Sequence, residues 1–255
     1  MPALRERKES NVLSVLNGKE IFVTAGSTRA YLDAVRYISN SSSGRLGALI
    51  ASECLKRGAY VSYFHGEGAL SPVALNHHGE VKLTSEDLSR LDMIRIETVP
   101  ELAGAIEREL KEGYYDAAIH AMAVLDYVPD MSSVFKGKTK SDKDEWTIKL
   151  VPTPKIIDMI KKVSPDTLLV GFKLEVGQVP ENLLASARKL MERCGAEMVI
   201  ANDLAQIKHG TYKATLIERD RTQLKMTQVE GKPETAVLLC DHLEEFLKMR
   251  STGSE

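Results

Sequence analysis

The sequence is poor in aromatic residues, with one Trp, eight Tyr and five Phe among 255. It also has no apolar run approaching the ~20 residues that a membrane helix needs. Charge of one sign is missing too: 34 Lys and Arg face 36 Asp and Glu, a formal net charge of −2. That balance argues against a protein whose main work is to neutralise a nucleic-acid backbone, so neither a nucleic-acid nor a membrane partner is expected. Cys54, Cys194 and Cys240 are odd in number and have no C-x-x-C spacing, a pattern of reduced structural thiols rather than of a disulfide framework or a zinc site. The opening segment 1–18 is charged and lacks the apolar core and cleavage site of a secretory signal, which points to a cytoplasmic protein. What is present is ordinary globular material, 43% hydrophobic and 27% charged.

Apolar runs alternate with helix-period segments, the pattern of a parallel sheet covered by helices on both faces. The expected fold is α/β: a Rossmann-like three-layer αβα domain over residues 19–250, its sheet mostly parallel and doubly wound, preceded by an extension (1–18) and followed by a short tail (251–255). Strands are expected at Ile21–Thr24, Tyr60–Phe64, Met93–Glu97, Asp116–Val124, Trp146–Val151, Thr167–Lys173 and Glu197–Ala201. Helices are expected from Ser43 to Lys56, from Pro100 to about Lys111, from Thr153 to Lys162, from Pro180 past Arg193 and from Thr235 to Lys248. Residues 213–228 read as an antiparallel hairpin across Asp220-Arg221. Between Asp130 and Asp144 the chain is polar, Gly-containing and dense in lysine, and reads as a mobile loop.

In open α/β sheets ligands bind beyond the carboxyl ends of the strands. The first such loop carries Gly26-Ser27-Thr28-Arg29, Asp33, Arg36 and then Ser39-Asn40-Ser41-Ser42-Ser43-Gly44 before a helix. One hydroxyl suffices to cap a helix, so this run exceeds the structural need and suits converging N–H groups around a phosphate. Neither G-x-G-x-x-G nor G-x-x-x-x-G-K-[ST] occurs. Asp126, at the edge of the buried strand, suits a sugar hydroxyl, a base amino group or a metal, or simply caps a turn. His120 lies inside that strand and reads as a hydrogen-bonded core residue. Lys136, Lys138, Lys140 and Lys143 suit a departing pyrophosphate or form only a solvated loop. Lys189 and Arg193 share a helical face.

Taken together, Thr24-Ala25-Gly26-Ser27-Thr28, Asp33, Val35, Arg36, Ile38-Ser39-Asn40, Ser42-Ser43-Gly44 and Gly47 resemble the phosphopantothenoylcysteine synthetase family of coenzyme A biosynthesis. The resemblance continues through Ala123-Val124-Leu125-Asp126-Tyr127, Lys138-Thr139-Lys140-Ser141, Thr153-Pro154-Lys155-Ile156, Gly171-Phe172-Lys173-Leu174-Glu175 and Ala201-Asn202-Asp203. It is similar to the free-standing form of an activity that many bacteria carry in a fused protein.

The resemblance implies a ligase. The carboxylate of 4′-phosphopantothenate attacks the α-phosphate of CTP or ATP, releasing pyrophosphate, and the amine of L-cysteine then displaces the nucleotide from the acyl-nucleotide. Magnesium is implied with the triphosphate, its ligands unassigned, and a homodimer is implied with the 213–228 hairpin at the contact. By the same resemblance Asn40 and Lys138 are catalytic, with Lys140 the alternative loop lysine. Gly26, Ser27, Thr28, Asp126, Lys140, Pro154, Lys155, Ile156, Ile157, Phe172, Lys189 and Arg193 bind nucleotide, and Arg36, Ser42, Ser43 and Gly44 bind substrate. Two rivals are a Rossmann-type oxidoreductase and a non-catalytic nucleotide-binding module. The first lacks its glycine fingerprint, and no tyrosine here has Lys four residues later.

Overall fold

A computed structural model describes residues 13–140, 142, 144–205, 212–220 and 223–252. The chain begins with β1 (Glu20–Ala25), the short strands β2 (Arg29–Tyr31) and β3 (Tyr37–Ser39), α1 (Arg45–Lys56) and β4 (Tyr60–Gly66). Then follow α2 (Pro72–His77), α3 (Ser85–Ser89), β5 (Leu91–Ile96), α4 (Val99–Glu112), β6 (Ala117–His120), β7 (Tyr127–Pro129) and β8 (Leu150–Pro152). The last part comprises α5 (Ile157–Val163), β9 (Leu168–Glu175), α6 (Pro180–Cys194), β10 (Met198–Asp203), β11 (Lys213–Asp220), β12 (Gln223–Glu230) and α7 (Lys232–Thr252).

Eight strands form one sheet in the order β12-β11-β10-β9-β6-β1-β4-β5. The six from β10 to β5 are parallel, and β11 and β12 are added antiparallel at one edge, as the sequence predicts. Ile21, Phe22, Val23, Ala118 and Ile119 are fully buried, as central strands covered on both faces require. One apolar layer joins the sheet to α1 and α7, where the Sγ atoms of Cys54 and Cys240 lie 3.7 Å apart as free thiols. The opposite layer, under α4, α5 and α6, centres on Phe22, Phe64, Ile106 and Ile160. Leu16, which the sequence places ahead of the domain, is fully buried in the first layer.

From β1 the chain moves outward through β4 and β5, and it then returns to β6 and proceeds the other way through β9 and β10. The crevice at that reversal is where such sheets bind ligands. β6 is shorter than the Asp116–Val124 strand expected from its apolar run, because its two edges part company. After His120 the segment keeps its bonds on the β1 side, with Ala121 N–H to Thr24 C=O at 3.1 Å and Ala123 N–H to Gly26 C=O at 2.8 Å. Its register with β9 ends at Ile119. The segment therefore follows β1 and opens a gap against β9.

Other differences are local. Residues 72–77 and 85–89, expected as loop, form short helices capped by Ser71 and by a reciprocal Thr84–Asp87 box. The Trp146–Val151 strand shrinks to β8 (Leu150–Pro152), which pairs with β7 outside the main sheet. Within 130–144, expected to be mobile, Met131–Ser133 form one 3₁₀ turn and Thr139 is buried. Arg221, at the turn of the hairpin, lies outside the described residues.

Candidate functional site

The loop after β1 meets the N-terminus of α1 at two glycines. Gly26 has φ +83° and Gly44 φ +72°. A Cβ on Gly26 would stand 2.5 Å from Ala69 Cβ, and one on Gly44 would stand 3.1 Å from the Gly26 nitrogen. Two backbones thus pass at a distance that side chains forbid. Gly44 caps α1 without any side-chain hydrogen bond, and no acidic residue occupies the first turn. Ser42 and Ser43 reach the N–H groups of Gly44 and Arg45 only at 3.4 Å. The helix terminus keeps both its positive end and its donors for an anion. Ser39 Oγ donates to Thr28 C=O at 2.8 Å and lies 2.9 Å from Ser27 Oγ, while Thr28 Oγ1 accepts the Leu125 N–H at 3.0 Å.

Asn40 is exposed, and its amide nitrogen donates to the carbonyls of Ala123 (3.2 Å) and Val124 (3.0 Å). Two facing carbonyls set the orientation of the amide, so Oδ1 is the atom left to accept. Asp33 is sealed from solvent and accepts from the N–H groups of Val35, Arg36 and Thr139 at 2.8–3.0 Å and from the Arg36 guanidinium at 2.6 Å. Burial alone would raise this carboxyl, but those donors outweigh it and hold it well below the usual carboxylate range. Arg36 also donates to Thr139 C=O at 3.2 Å and lies over the Trp146 ring. Arg36, expected at substrate, is therefore engaged in anchoring residues 137–139.

The gap between residues 121–124 and β9 is a cleft of about 600 Å³. Asp126, Pro154, Lys155, Ile156, Ile157, Phe172, Lys189 and Arg193 all line it. Every residue that the resemblance assigns to nucleotide downstream of the first loop is there, except Lys140. Lys155 Nζ pairs with Asp126 at 2.6 Å, Arg193 Nε with Asp158 at 3.0 Å and Lys173 Nζ with Glu175 at 3.1 Å. Lys189 has no carboxylate partner among the described residues. Asn40 meets the rim through Val124, a lining residue. Lys138 and Lys140 do not line this cleft; they border a separate hollow of about 380 Å³ with Thr139 and Asp142.

His120, Met122, Lys173 and Ser186 line the cleft although the sequence did not place them in a site. Lys173 stands within a quoted motif, whereas Ser186 has no signal beyond sharing a face of α6 with Lys189. A second cavity of about 480 Å³ lies under the hairpin. Its lining sets Lys213 against Asp203 and Glu230, whereas the cleft holds three lysines and an arginine with one aspartate. Asp203 is committed elsewhere: the Gly177 N–H, with those of Ala205 and Gln178, holds its carboxyl below the ordinary range.

The family model described as the DNA/pantothenate metabolism flavoprotein C-terminal domain matches residues 16–247. The coenzyme A biosynthesis bifunctional protein CoaBC of Thermococcus kodakarensis is 38% identical over 233 residues, which are 91% of this chain and 52% of that protein. The chain thus spans about half the length of the curated relatives it matches. Among solved structures, a DNA/pantothenate metabolism flavoprotein from Streptococcus pneumoniae superposes with a TM-score of 0.74 at 29% identity, covering 90% of this chain and 100% of that one. The C-terminal domain of a CoaBC protein shares the fold, with a TM-score of 0.69 at 24% identity over 92% of this chain and 98% of that one. The chain belongs to the family of the DNA/pantothenate metabolism flavoprotein C-terminal domain, the phosphopantothenoylcysteine synthetase family that its motifs resemble.

Proposed function

We propose that the protein is a phosphopantothenate–cysteine ligase working through an acyl-nucleotide. The observation that carries this reading is the convergence of Asp126, Pro154–Ile157, Phe172, Lys189 and Arg193, scattered over 68 positions of sequence, on one cleft at the sheet's reversal point. A carboxylate does not react with an amine until it carries a leaving group. Attack of the 4′-phosphopantothenate carboxylate oxygen on the α-phosphate of CTP or ATP breaks the α–β phosphoanhydride bond and expels pyrophosphate. The cysteine amine then attacks the acyl carbon, the nucleoside monophosphate leaves with the bonding pair, and the amine gives up a proton as the amide forms.

Each residue has a part consistent with its place. Lys189 supplies an ammonium with no carboxylate partner among the described residues for the polyphosphate, Arg193 a second cation on the same face, and Phe172 with Pro154–Ile157 an apolar wall for base and sugar. Asn40 presents Oδ1 to the attacking amine, its nitrogen being held by the two carbonyls. The bare α1 terminus, with Ser42, Ser43 and Gly44, suits the phosphate of phosphopantothenate. Gly26, Ser27 and Thr28 bring the first loop against residues 123–125 at the edge of the nucleotide site. Lys138, or Lys140, meets the departing pyrophosphate. No group of three or more His, Cys, Asp or Glu side chains converges as a metal site among the described residues, so magnesium fits as an ion carried by the triphosphate. A homodimer built on the hairpin and a cytoplasmic location complete the reading; no helix among the described residues is long and apolar enough to cross a membrane.

The test is to incubate the protein with 4′-phosphopantothenate, cysteine, magnesium and CTP or ATP, and to follow pyrophosphate and amide. Pyrophosphate that requires the acid, and amide that requires cysteine, are expected. The alternative, a nucleotide-binding module without chemistry, draws on the position of Lys138 outside the cleft; nucleotide binding without any pyrophosphate would establish it.

A further inference from the structure

His120 is the last residue of β6 and is 7% exposed. The two edges of its ring face different surroundings. Nδ1 lies 3.0 Å from Thr24 Oγ1. That hydroxyl already accepts the Met122 N–H at 3.2 Å, and Thr24 is fully buried. A buried hydroxyl proton needs an acceptor, and His120 Nδ1 is the acceptor within reach among the described residues. Thr24 therefore donates to Nδ1 and fixes the neutral tautomer that carries its proton on Nε2. Burial pushes the imidazole pKa down to about 4, which keeps the ring uncharged at neutral pH. Nε2 has no partner among the described residues and is not sealed off, and the ring lines the cleft.

We propose that His120 is a nucleoside-recognising residue, its Nε2–H donating to an uncharged acceptor of the bound nucleotide: a base carbonyl, a ring nitrogen or a sugar hydroxyl. This rests on the nucleotide reading of the cleft given above. The cleft then divides its work by charge. Lys189, a point charge on a flexible stem, attracts phosphate without much directional demand, whereas a neutral donor locked by a buried hydroxyl reads one acceptor at one position. A fixed donor also disfavours a ligand that offers no acceptor there, since the donor would stay unpaired in a largely buried place.

Calorimetry with CTP, ATP and inorganic tripolyphosphate on the wild type, His120→Asn, His120→Gln and Lys189→Ala tests this. Asn keeps an acceptor for Thr24 and loses the Nε2 donor; Gln keeps an amide N–H near Nε2. His120→Asn is expected to bind the better nucleotide about tenfold more weakly and tripolyphosphate unchanged, His120→Gln to stay within about threefold, and Lys189→Ala to weaken all three ligands. Wild-type nucleotide affinity in His120→Asn beside a weakened Lys189→Ala overturns the assignment of His120 and leaves the nucleotide site standing. Loss of tripolyphosphate affinity in His120→Asn moves the contact to phosphate and also overturns it. No nucleotide binding by the wild type overturns both readings. Ring ¹⁵N NMR of the wild type needs no variant: the Nε2–H tautomer is expected, its resonance shifting with nucleotide but not with tripolyphosphate. An Nδ1–H tautomer, or no shift at saturating nucleotide, contradicts the proposal.

Discussion

The cleft between residues 121–124 and β9 and the lysine segment 136–140 are both assigned to one triphosphate, yet they are built differently. The cleft walls are strand ends and a helix face backed by the sheet, so the placement of Phe172 or Lys189 follows from β9 and α6. The lysine segment has no such backing. Its fixed points are Gly137 C=O, which accepts the Ala34 N–H at 3.1 Å, and the N–H and C=O of Thr139, held by Asp33 and Arg36. On the proposed reading, nucleotide binding rests on the sheet, whereas leaving-group stabilisation rests on a segment tied down by Asp33, Arg36 and the Ala34 N–H.

Substitutions on the two sides should separate accordingly. The largest effect is expected for Lys138→Gln: pyrophosphate formation slowed about 100-fold or more with nearly unchanged nucleotide affinity, the signature of a charge needed only as the leaving group departs. A larger loss with Lys140→Gln would transfer that role, and equal turnover in both variants would remove it from the segment. Lys189→Ala is expected to show the converse, with nucleotide binding weakened about tenfold and the bound-state rate much less affected.

Asp33→Asn addresses the anchor itself. The folded-state pKa of Asp33 lies below that of the unfolded chain. Its stabilisation is therefore full above about pH 4, where an unfolded Asp ionises, and is lost as the pH falls towards the lower folded value. The melting-temperature gap between the wild type and Asp33→Asn should be widest near neutrality and narrow below about pH 4; a gap independent of pH would mean that Asp33 acts by shape rather than charge. The smallest effect is expected for Thr139→Val. Thr139 Oγ1 is buried without a partner among the described residues, so replacing the hydroxyl by a methyl should leave stability within about 1 kcal/mol of the wild type in a denaturant titration, or raise it. A clear loss would reveal a partner for that hydroxyl.

The sheet was legible because fully buried strands read as continuous β-branched and apolar runs, and because Pro100, Gly113 and Pro180 mark helix ends. The apolar run to Val124 could not reveal that the chain follows β1 after His120 and abandons β9, since apolarity marks a covered segment and not the strand it pairs with; yet that divergence makes the cleft. Ser71-Pro72 and Thr84-x-x-Asp87 carried the caps of α2 and α3 in plain sight, but residues 66–91 have too little apolar period to suggest helices. Asp33 was visible as a motif position, not as an anchor, because its partner Thr139 is 106 positions away. The apolar neighbours of His120 in sequence point to the core, which describes its Nδ1 edge and leaves out the other.

On the proposed reading the cleft at the sheet's reversal point, and not the cavity under the hairpin, takes the nucleoside triphosphate. A crystal structure with CTP or ATP, magnesium and no cysteine tests it most directly. Density is expected with the polyphosphate at Lys189 and Arg193 and the base against Phe172 and Pro154–Ile157. Nucleotide seated instead among Gln178, Lys213 and Glu230 would contradict it.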